Sequence, residues 1–289
     1  IPEAHGGIGL QPLDAAIVAE CLGSHIAPTP FLGSAVMAPT ALVASGGDHD
    51  ELLADIAAGT TRIGIAFGEA IKRRNDAGVS VKDGRMSGTS MYAFDAEADA
   101  YLVADEHQHI YLVRTDDPGL TRSDLATVDK TRRTVELNYE NVAAELVSAD
   151  PTVFAASIDI GRMALAADTL GAAQNMLDQA VEYAKQREQF NRPIGSFQAV
   201  KHMCAEMAAQ LEPCRSMVWF AGHALAELPD EARVTACHTK AHLAEVGQFI
   251  AKTSTEVHGG MGFTDLVGLH YWFKRIGANR QWLGAPEFV

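Results

Sequence analysis

The order in which hydrophobic periodicities change along the chain is the strongest constraint on its fold. Residues 13–60 carry apolar residues at helical spacing, residues 62–147 break into short β-branched or aromatic runs, and helical spacing returns from Pro151 onward. Helices and strands therefore do not alternate. This order excludes a doubly wound parallel sheet, which needs successive βαβ units, and neither a GxGxxG turn nor a P-loop is present.

The middle of the chain predicts an antiparallel barrel or sandwich. The short runs with strand character lie at residues 63–65, 79–81, 100–103, 110–113 and 134–137. A Lys-Asp-Gly-Arg stretch at 82–85 is a suitable hairpin turn between two strands. Short strands at regular spacing with turn residues between them are typical of such all-β arrangements.

The last part of the chain predicts a helical bundle. Its long amphipathic stretches are 156–187, 197–226 and 231–258. We therefore expect a mixed α and β fold with a helical N-terminal domain at 1–60, a central β-domain at 61–150 and a C-terminal helical bundle at 151–289.

Composition and charge exclude several classes of function. The formal net charge of −14 argues against a protein that neutralises nucleic-acid phosphates. The four cysteines and the histidines lack metal-ligand spacing, so we expect reduced thiols in a cytoplasmic protein and no metal site. No apolar run of about 18 residues or charged-then-apolar leader is present, so we expect neither a membrane span nor a secretory signal. Because residue 1 is Ile rather than Met, we expect further residues upstream.

Three motifs in order resemble the acyl-CoA dehydrogenase family. Residues 183–202, YAKQREQFNRPIGSFQAVKH, resemble its signature YAxxRxQFGxPIxxFQxVxH. Residues 257–264, VHGGMGFT, resemble its later hGGxGfT segment, and residues 2–10, PEAHGGIGL, resemble its early PExxGGxGL. The resemblance spans nearly the whole chain. It implies a helical N-terminal domain, a central β-domain and a C-terminal four-helix bundle.

The resemblance also implies a reaction and a cofactor. Such enzymes desaturate an acyl-CoA thioester: a carboxylate takes the α-proton and FAD accepts the β-hydride. In the family, the Arg of RxQF lies against the FAD pyrophosphate of a neighbouring subunit. The resemblance assigns that role to Arg187, with Gln189 in the same motif and with Phe190 and Gln198 around the adenosine half. Taken alone, Arg187 would be a solvated charge and Phe190 a core residue.

The glycines of the later motif carry a second expected contact. Gly259 and Gly260 would bring bare backbone close to the cofactor, because residues without Cβ permit close approach. The alternative is a helix cap, which explains one glycine more easily than the cluster. The family usually has Gln where this chain has Glu256. A carboxylate there would be repelled by the pyrophosphate.

The usual catalytic base is missing from both places where the family puts it. Leu283 stands at the position of the Glu of the YEGT stretch, and Gly161 stands at the alternative position on an earlier helix. Neither side chain can accept a proton. Asp159 is turned away by helix phase, about 200° for two residues. Glu287 lies four residues beyond Leu283 in a tail without helical pattern.

The stretches that hold the flavin ring in the family are altered too. TEPxAGSD is replaced by IAFGEA at 65–70, and KxWIT by SMYAFD at 90–95. A chain with the RxQF motif but without base or ring pocket resembles one subunit of the heteromeric α2β2 acyl-CoA dehydrogenases of steroid side-chain degradation. We therefore expect a homologous partner subunit, an acyl-CoA substrate and an electron-transferring flavoprotein as acceptor.

Two alternatives remain open from the sequence. One is a complete homomeric acyl-CoA dehydrogenase with a relocated base, which would bind FAD and turn over without a partner. The other is a non-catalytic scaffold that stabilises a partner without touching the cofactor.

Overall fold

The computed structural model describes residues 1–72 and 74–289. They form two compact units, which we name the β-unit (residues 1–11 and 28–161) and the helical unit (residues 12–27 and 162–289). The division into three domains at residues 60 and 150 stays a prediction. By contacts, the N-terminal segment is divided between the two units.

The β-unit is built on an eight-stranded sheet. Its strands are β1 (Ile63–Ala66), β2 (Gly78–Lys82), β3 (Arg85–Phe94), β4 (Ala100–Ala104), β5 (Ile110–Arg114), β6 (Leu120–Leu125), β7 (Thr134–Ala143) and β8 (Glu145–Ser148). Their order is β6-β7-β3-β1-β4-β5-β8, and β2 pairs with β3. The five predicted runs all fall in strands, whereas β3, β6 and β8 were not predicted as strands of their own.

One pair of strands departs from the predicted antiparallel arrangement. Strands β1 and β4 run parallel, with Ile63 opposite Ala100 and Ala66 opposite Val103. Parallel neighbours need a long crossover connection. Here the β2–β3 hairpin supplies it, so the chain enters β4 in the direction in which it ran through β1.

The sheet's buried face explains why these residues form strands. Every residue of β4 is buried, and Tyr101 packs with Met86, Leu137 and Tyr139 in one apolar cluster. The Tyr101 hydroxyl donates to the carbonyl oxygen of Asp95 at 2.6 Å, which satisfies its polar end. Both faces of β4 are therefore buried, which explains its nearly continuous apolar run.

The β-unit also contains three helices. They are α2 (Ala38–Ala44), α3 (Asp50–Ala58) and the short α4 (Gly68–Ile71); α1 (Pro12–Ser24) belongs to the helical unit. A π-helical turn at Phe31–Met37 precedes α2. The Ser34 hydroxyl donates to the carbonyl oxygen of Ile63 and accepts from its amide, at 3.1 and 2.9 Å. This pair of bonds ties the turn to the start of β1.

The helical unit contains the long helices that the sequence predicts. They are α5 (Pro151–Gln186), α6 (Gln198–Glu227), α7 (Pro229–His258) and α8 (His270–Gln281), with a small hairpin of β9 (Glu188–Gln189) and β10 (Arg192–Pro193) after α5. From Arg162 onward α5 belongs to this unit. Helix α6 packs against α1 and α7, and α7 packs against α8. No helix among the described residues is long and apolar enough to cross a membrane.

Two close approaches and one buried polar network fix the middle of the helical unit. A Cβ on Gly23 or Gly171 would lie 1.9 or 1.8 Å from a carbonyl oxygen of the facing helix, so α1 and α5 cross at glycines. Buried Asp168 on α5 accepts two hydrogen bonds from Arg275, at 3.0 and 2.7 Å, and one from Asn279 at 2.6 Å. Helix α8 is thereby bonded to α5 inside the core.

Candidate functional site

The RxQF motif follows directly after helix α5 and forms a tight hairpin. The amide of Arg187 donates to the carbonyl oxygen of Tyr183 at 2.8 Å, and the Arg187 carbonyl accepts from Ile194 at 2.7 Å. The turn residues Phe190 and Asn191 have φ values of 54° and 60°. Positive φ at both central residues matches a type I′ hairpin, where Asn is common and Phe is strained.

The hairpin leaves two of the motif's side chains in the open. Phe190 is 86% exposed, and its ring lies edge-on to that of Phe197 at a centroid distance of 6.0 Å. The guanidinium of Arg187 is exposed, and no carboxylate of the described residues lies within ion-pair distance of it. Neighbouring charges do find partners: Lys185 pairs with Glu182 at 2.6 Å. The prediction from residue type alone that Phe190 belongs to the core is wrong, because the turn holds it outward.

Ring stacking brings the two predicted cofactor motifs to the same end of the bundle. Tyr183, at the end of α5, stacks on His258, the last residue of α7, with ring centroids 4.5 Å apart. His258 Nδ1 is 2.8 Å from the carbonyl oxygen of Ser254. The Ser254 hydroxyl in turn donates to the Met176 carbonyl oxygen of α5 at 2.8 Å. These contacts join the ends of α5 and α7. Arg187 and Gly259 each follow directly after them.

The two glycines after α7 differ in whether the backbone conformation requires glycine. Gly259 has φ 58° and ψ −139°, a combination that side chains do not tolerate. Gly260 has no positive φ, and a Cβ placed on it would meet no atom within 4 Å. Backbone conformation therefore requires Gly259, whereas nothing in the chain's own packing requires Gly260. Glu256 is exposed on the last turn of the same helix.

Both glutamines of the predicted site are exposed and make only local contacts. The Gln189 amide donates to the carbonyl oxygen of Glu188 at 2.7 Å. Gln198 Nε2, at the first residue of α6, lies 3.0 Å from His202 Nε2. Phe197, beside Gln198, carries the Arg192 guanidinium over its ring at 4.0 Å. The start of α6 is thus tied to the hairpin.

The family's base positions are enclosed in the protein. Leu283 is 7% exposed and has φ 56°, and Gly161 is buried within α5. The nearby carboxylates are engaged elsewhere. Glu287 Oε1 lies 3.7 Å from Arg280 Nη1, and Asp159 is buried with a partner of its own.

In the β-unit, a buried carboxylate joins the two altered stretches, which sequence reasoning missed. Glu69 accepts from Arg74 Nη1 at 2.6 Å, from the Arg74 amide at 2.9 Å and from the Met91 amide at 3.4 Å. The Arg74 guanidinium also lies over the Tyr92 ring, 5.0 Å from its centroid. The stretches 65–70 and 90–95 therefore bond to each other through protein side chains.

A buried lysine is the second residue that sequence reasoning missed. Lys240 on α7 is 2% exposed, and its Nζ donates to the carbonyl oxygens of Arg280 and Gly284 at 3.2 Å each. A signal was present, because Lys240 falls at helical spacing with Ala236, Leu243 and other buried apolar residues. A lysine on the apolar face of a helix predicts a buried amine.

The comparisons with known proteins agree with the motifs. The family model of the acyl-CoA dehydrogenase C-terminal domain matches residues 152–288. The acyl-CoA dehydrogenase IpdE2 of Mycobacterium tuberculosis is 31% identical over 290 residues, covering 100% of this chain and 79% of IpdE2. A chain of the ChsE4-ChsE5 complex from Mycobacterium tuberculosis is 28% identical, with a TM-score of 0.89 over 99% of this chain and 80% of that one. A variant of the Tcur3481-Tcur3483 steroid ACAD is also 28% identical, with a TM-score of 0.88 over 99% and 81%.

The chain belongs to the acyl-CoA dehydrogenase family. This confirms the resemblance and the predicted mixed fold. Members of the family are oxidoreductases that generally bind FAD.

Proposed function

We propose that this chain is the base-free subunit of a heteromeric acyl-CoA dehydrogenase. Its bundle end contributes residues to an FAD whose ring is held by a homologous partner subunit. The partner is expected to supply the carboxylate that takes the α-proton from the acyl-CoA. The assembly of a similar chain in the ChsE4-ChsE5 complex supports a partner of the same family.

The occupants of the two base positions are the observation that carries this proposal. Leu283 and Gly161 cannot accept a proton, and both are buried. A relocated base would need a free carboxylate nearby. Asp159 is buried, and Glu287 Oε1 lies 3.7 Å from Arg280 Nη1; neither stands at a base position of the family.

The residues at the bundle end fit FAD with one exception. Arg187 offers an exposed guanidinium without an ion partner among the described residues, and its planar fork suits two phosphate oxygens. Gly260 opens onto free space, so another molecule's atoms can approach its backbone. Phe190 presents an uncovered ring for the adenosine half. The exception is Glu256, an exposed carboxylate that would oppose a pyrophosphate.

The proposed role of this chain in the reaction is to bind and hold the cofactor. FAD, when bound, supplies the hydride acceptor for the β-carbon of the thioester. Arg187 neutralises phosphate charge and fixes its place, while Gln189 and Gln198 offer amides for further hydrogen bonds. Gly259 and Gly260 leave space for the cofactor beside the helix end.

The proposed substrate is an acyl-CoA thioester, with a steroid side-chain CoA ester as the specific candidate. The similarity to a steroid ACAD supports this choice. By family expectation, an electron-transferring flavoprotein reoxidises the flavin.

Co-expression tests the proposal directly. The full chain is purified alone and with a homologous subunit that retains the family glutamate, and flavin absorbance and acyl-CoA desaturation are measured. We expect little flavin and no turnover from the chain alone, and a yellow, active complex with the partner. Flavin-loaded turnover by the isolated chain would establish the homomeric alternative instead.

A further inference from the structure

Two basic side chains of the helical unit converge on the backbone of one short segment. Lys240 Nζ donates to the carbonyl oxygens of Arg280 and Gly284, and Arg162 Nε donates to the Leu283 carbonyl oxygen at 3.0 Å. Three carbonyls within five residues are thus held by side chains of α5 and α7. Residue 283 lies within the held segment.

The held segment has a backbone conformation that its sequence does not favour. Leu283 has φ 56° and Gly284 has φ 104°. A bulky residue with left-handed φ is rare, because its Cβ crowds the following carbonyl. Such a conformation persists only where the surroundings over-determine it. The bonds from Lys240 and Arg162 are surroundings of that kind.

We propose that the side-chain donors of Arg162 and Lys240 form a clamp that fixes the backbone of residues 280–284 and thereby positions the side chain at 283. The clamp binds carbonyl oxygens, which every residue type carries, so it works independently of what stands at 283. The Arg280 carbonyl also belongs to the last turn of α8, whose unpaired carbonyls favour a nearby donor. The clamp is the support that a base at position 283 would need, retained here without the base.

Charges from several elements decide whether Lys240 carries a proton. Burial lowers the pKa of Lys240 to about 7; Arg162 and Arg280 lower it as well, and Glu287 opposes them. Arg280 is itself paired with Glu245 of α7. A neutral amine has two N–H donors, which matches the two carbonyls that accept from Lys240. The third donor of an ammonium would be buried without an acceptor among the described contacts of Lys240.

The sign of the pH effect follows from this lowered pKa. If the segment opens and exposes Lys240, its pKa returns toward the ordinary value of 10.5. Between about pH 7 and 10.5 the open form then binds a proton that the closed form does not. Opening therefore becomes more favourable as the pH falls through this range, and it levels off below about pH 7.

Hydrogen exchange of residues 280–289 in the full, isolated chain tests the clamp. Lys240→Met should lower protection of this segment roughly 5- to 150-fold, as expected for two lost hydrogen bonds. Lys252→Met, on the exposed face of the same helix, should leave protection unchanged. Equal protection in wild type and Lys240→Met would overturn the proposal.

A second measurement separates the clamp from simple packing and does not depend on Lys240→Met. In chain labelled with 5-fluorotryptophan, the 19F resonance of Trp282, assigned with Trp282→Phe, should titrate with a midpoint near pH 7. Arg162→Gln should move that midpoint upward, because it removes a neighbouring cation. Trp219 and Trp272 serve as internal references. A Trp282 resonance that is the same in wild type and Arg162→Gln at every pH would overturn the clamp, because Arg162 bonds the neighbouring Leu283 carbonyl. No partner or flavin is needed, so the result is independent of the proposed function.

Discussion

The end of the helical bundle and the two altered stretches of the β-unit differ in whether their polar side chains are exposed or bonded to each other. At the bundle end, Arg187 projects an exposed guanidinium that pairs with no carboxylate of the described residues. In the β-unit, Glu69 and Arg74 pair with each other at 2.6 Å, and Arg74 covers Tyr92. The exposed guanidinium of Arg187 is available to bind another molecule. The Glu69 and Arg74 side chains bond to each other instead.

On the proposed function, the difference teaches how a subunit can give up one half of a shared site and retain the other. The retained half would need a few exposed groups on a rigid support, here the joined ends of α5 and α7. The half given up would be the one in which Glu69 and Arg74 bond to each other. Variants that act on the support, on the exposed groups and on the glycines should therefore have separable effects.

The largest effect is expected from the buried polar network between α5 and α8. Asp168→Ala removes the carboxylate to which buried Arg275 and Asn279 donate, and breaking a buried ion pair costs about 3–5 kcal/mol. Urea denaturation of the full chain measures this loss. Asp178→Ala, on an exposed position of the same helix, should change the free energy of unfolding by less than about 0.5 kcal/mol. Similar losses in the two variants would mean that the buried network does not support the bundle.

A smaller effect, specific to the cofactor, is expected from the exposed group. A charge-assisted hydrogen bond is worth roughly 1.5–3 kcal/mol, so Arg187→Ala should weaken FAD retention in the co-expressed complex roughly 10- to 150-fold. The unfolding free energy of the chain should hardly change, because Arg187 has no ion partner among the described residues. Arg187→Lys keeps the charge but not the fork and should fall between the two. Unchanged flavin affinity in Arg187→Ala would favour the scaffold hypothesis.

How much the sequence could predict depended on how far apart in the chain the residues that determine each feature lie. Periodicity predicted the long helices, and motif strings predicted which residues stand at the bundle end, because both are local patterns. The parallel pairing of β1 with β4 and the contact of Glu69 with Met91 join residues far apart in the chain, so no local pattern announces them. The left-handed conformation of Leu283 was equally hidden, since the side chains that bond the carbonyls around it come from two other helices.

The sharpest separation of fold from cofactor is expected at the two glycines after α7. Gly259→Ala should cost about 1–3 kcal/mol of stability, because Ala does not tolerate φ 58° with ψ −139°. Gly260→Ala should leave stability unchanged within about 0.5 kcal/mol, because its Cβ would enter open space.

Flavin affinity should respond to Gly260→Ala although the stability of the fold does not. If FAD approaches the Gly260 backbone in the complex, the added methyl overpacks that contact. A cost of about 1.4 kcal/mol, at the low end for overpacking, corresponds to about a tenfold loss of FAD affinity. Thermal unfolding of the isolated chain and flavin titration of the complex measure the two quantities on one variant. If Gly260→Ala retained FAD like the wild type, the close approach of FAD assigned to this glycine would be wrong, even if Arg187→Ala had lost FAD as expected.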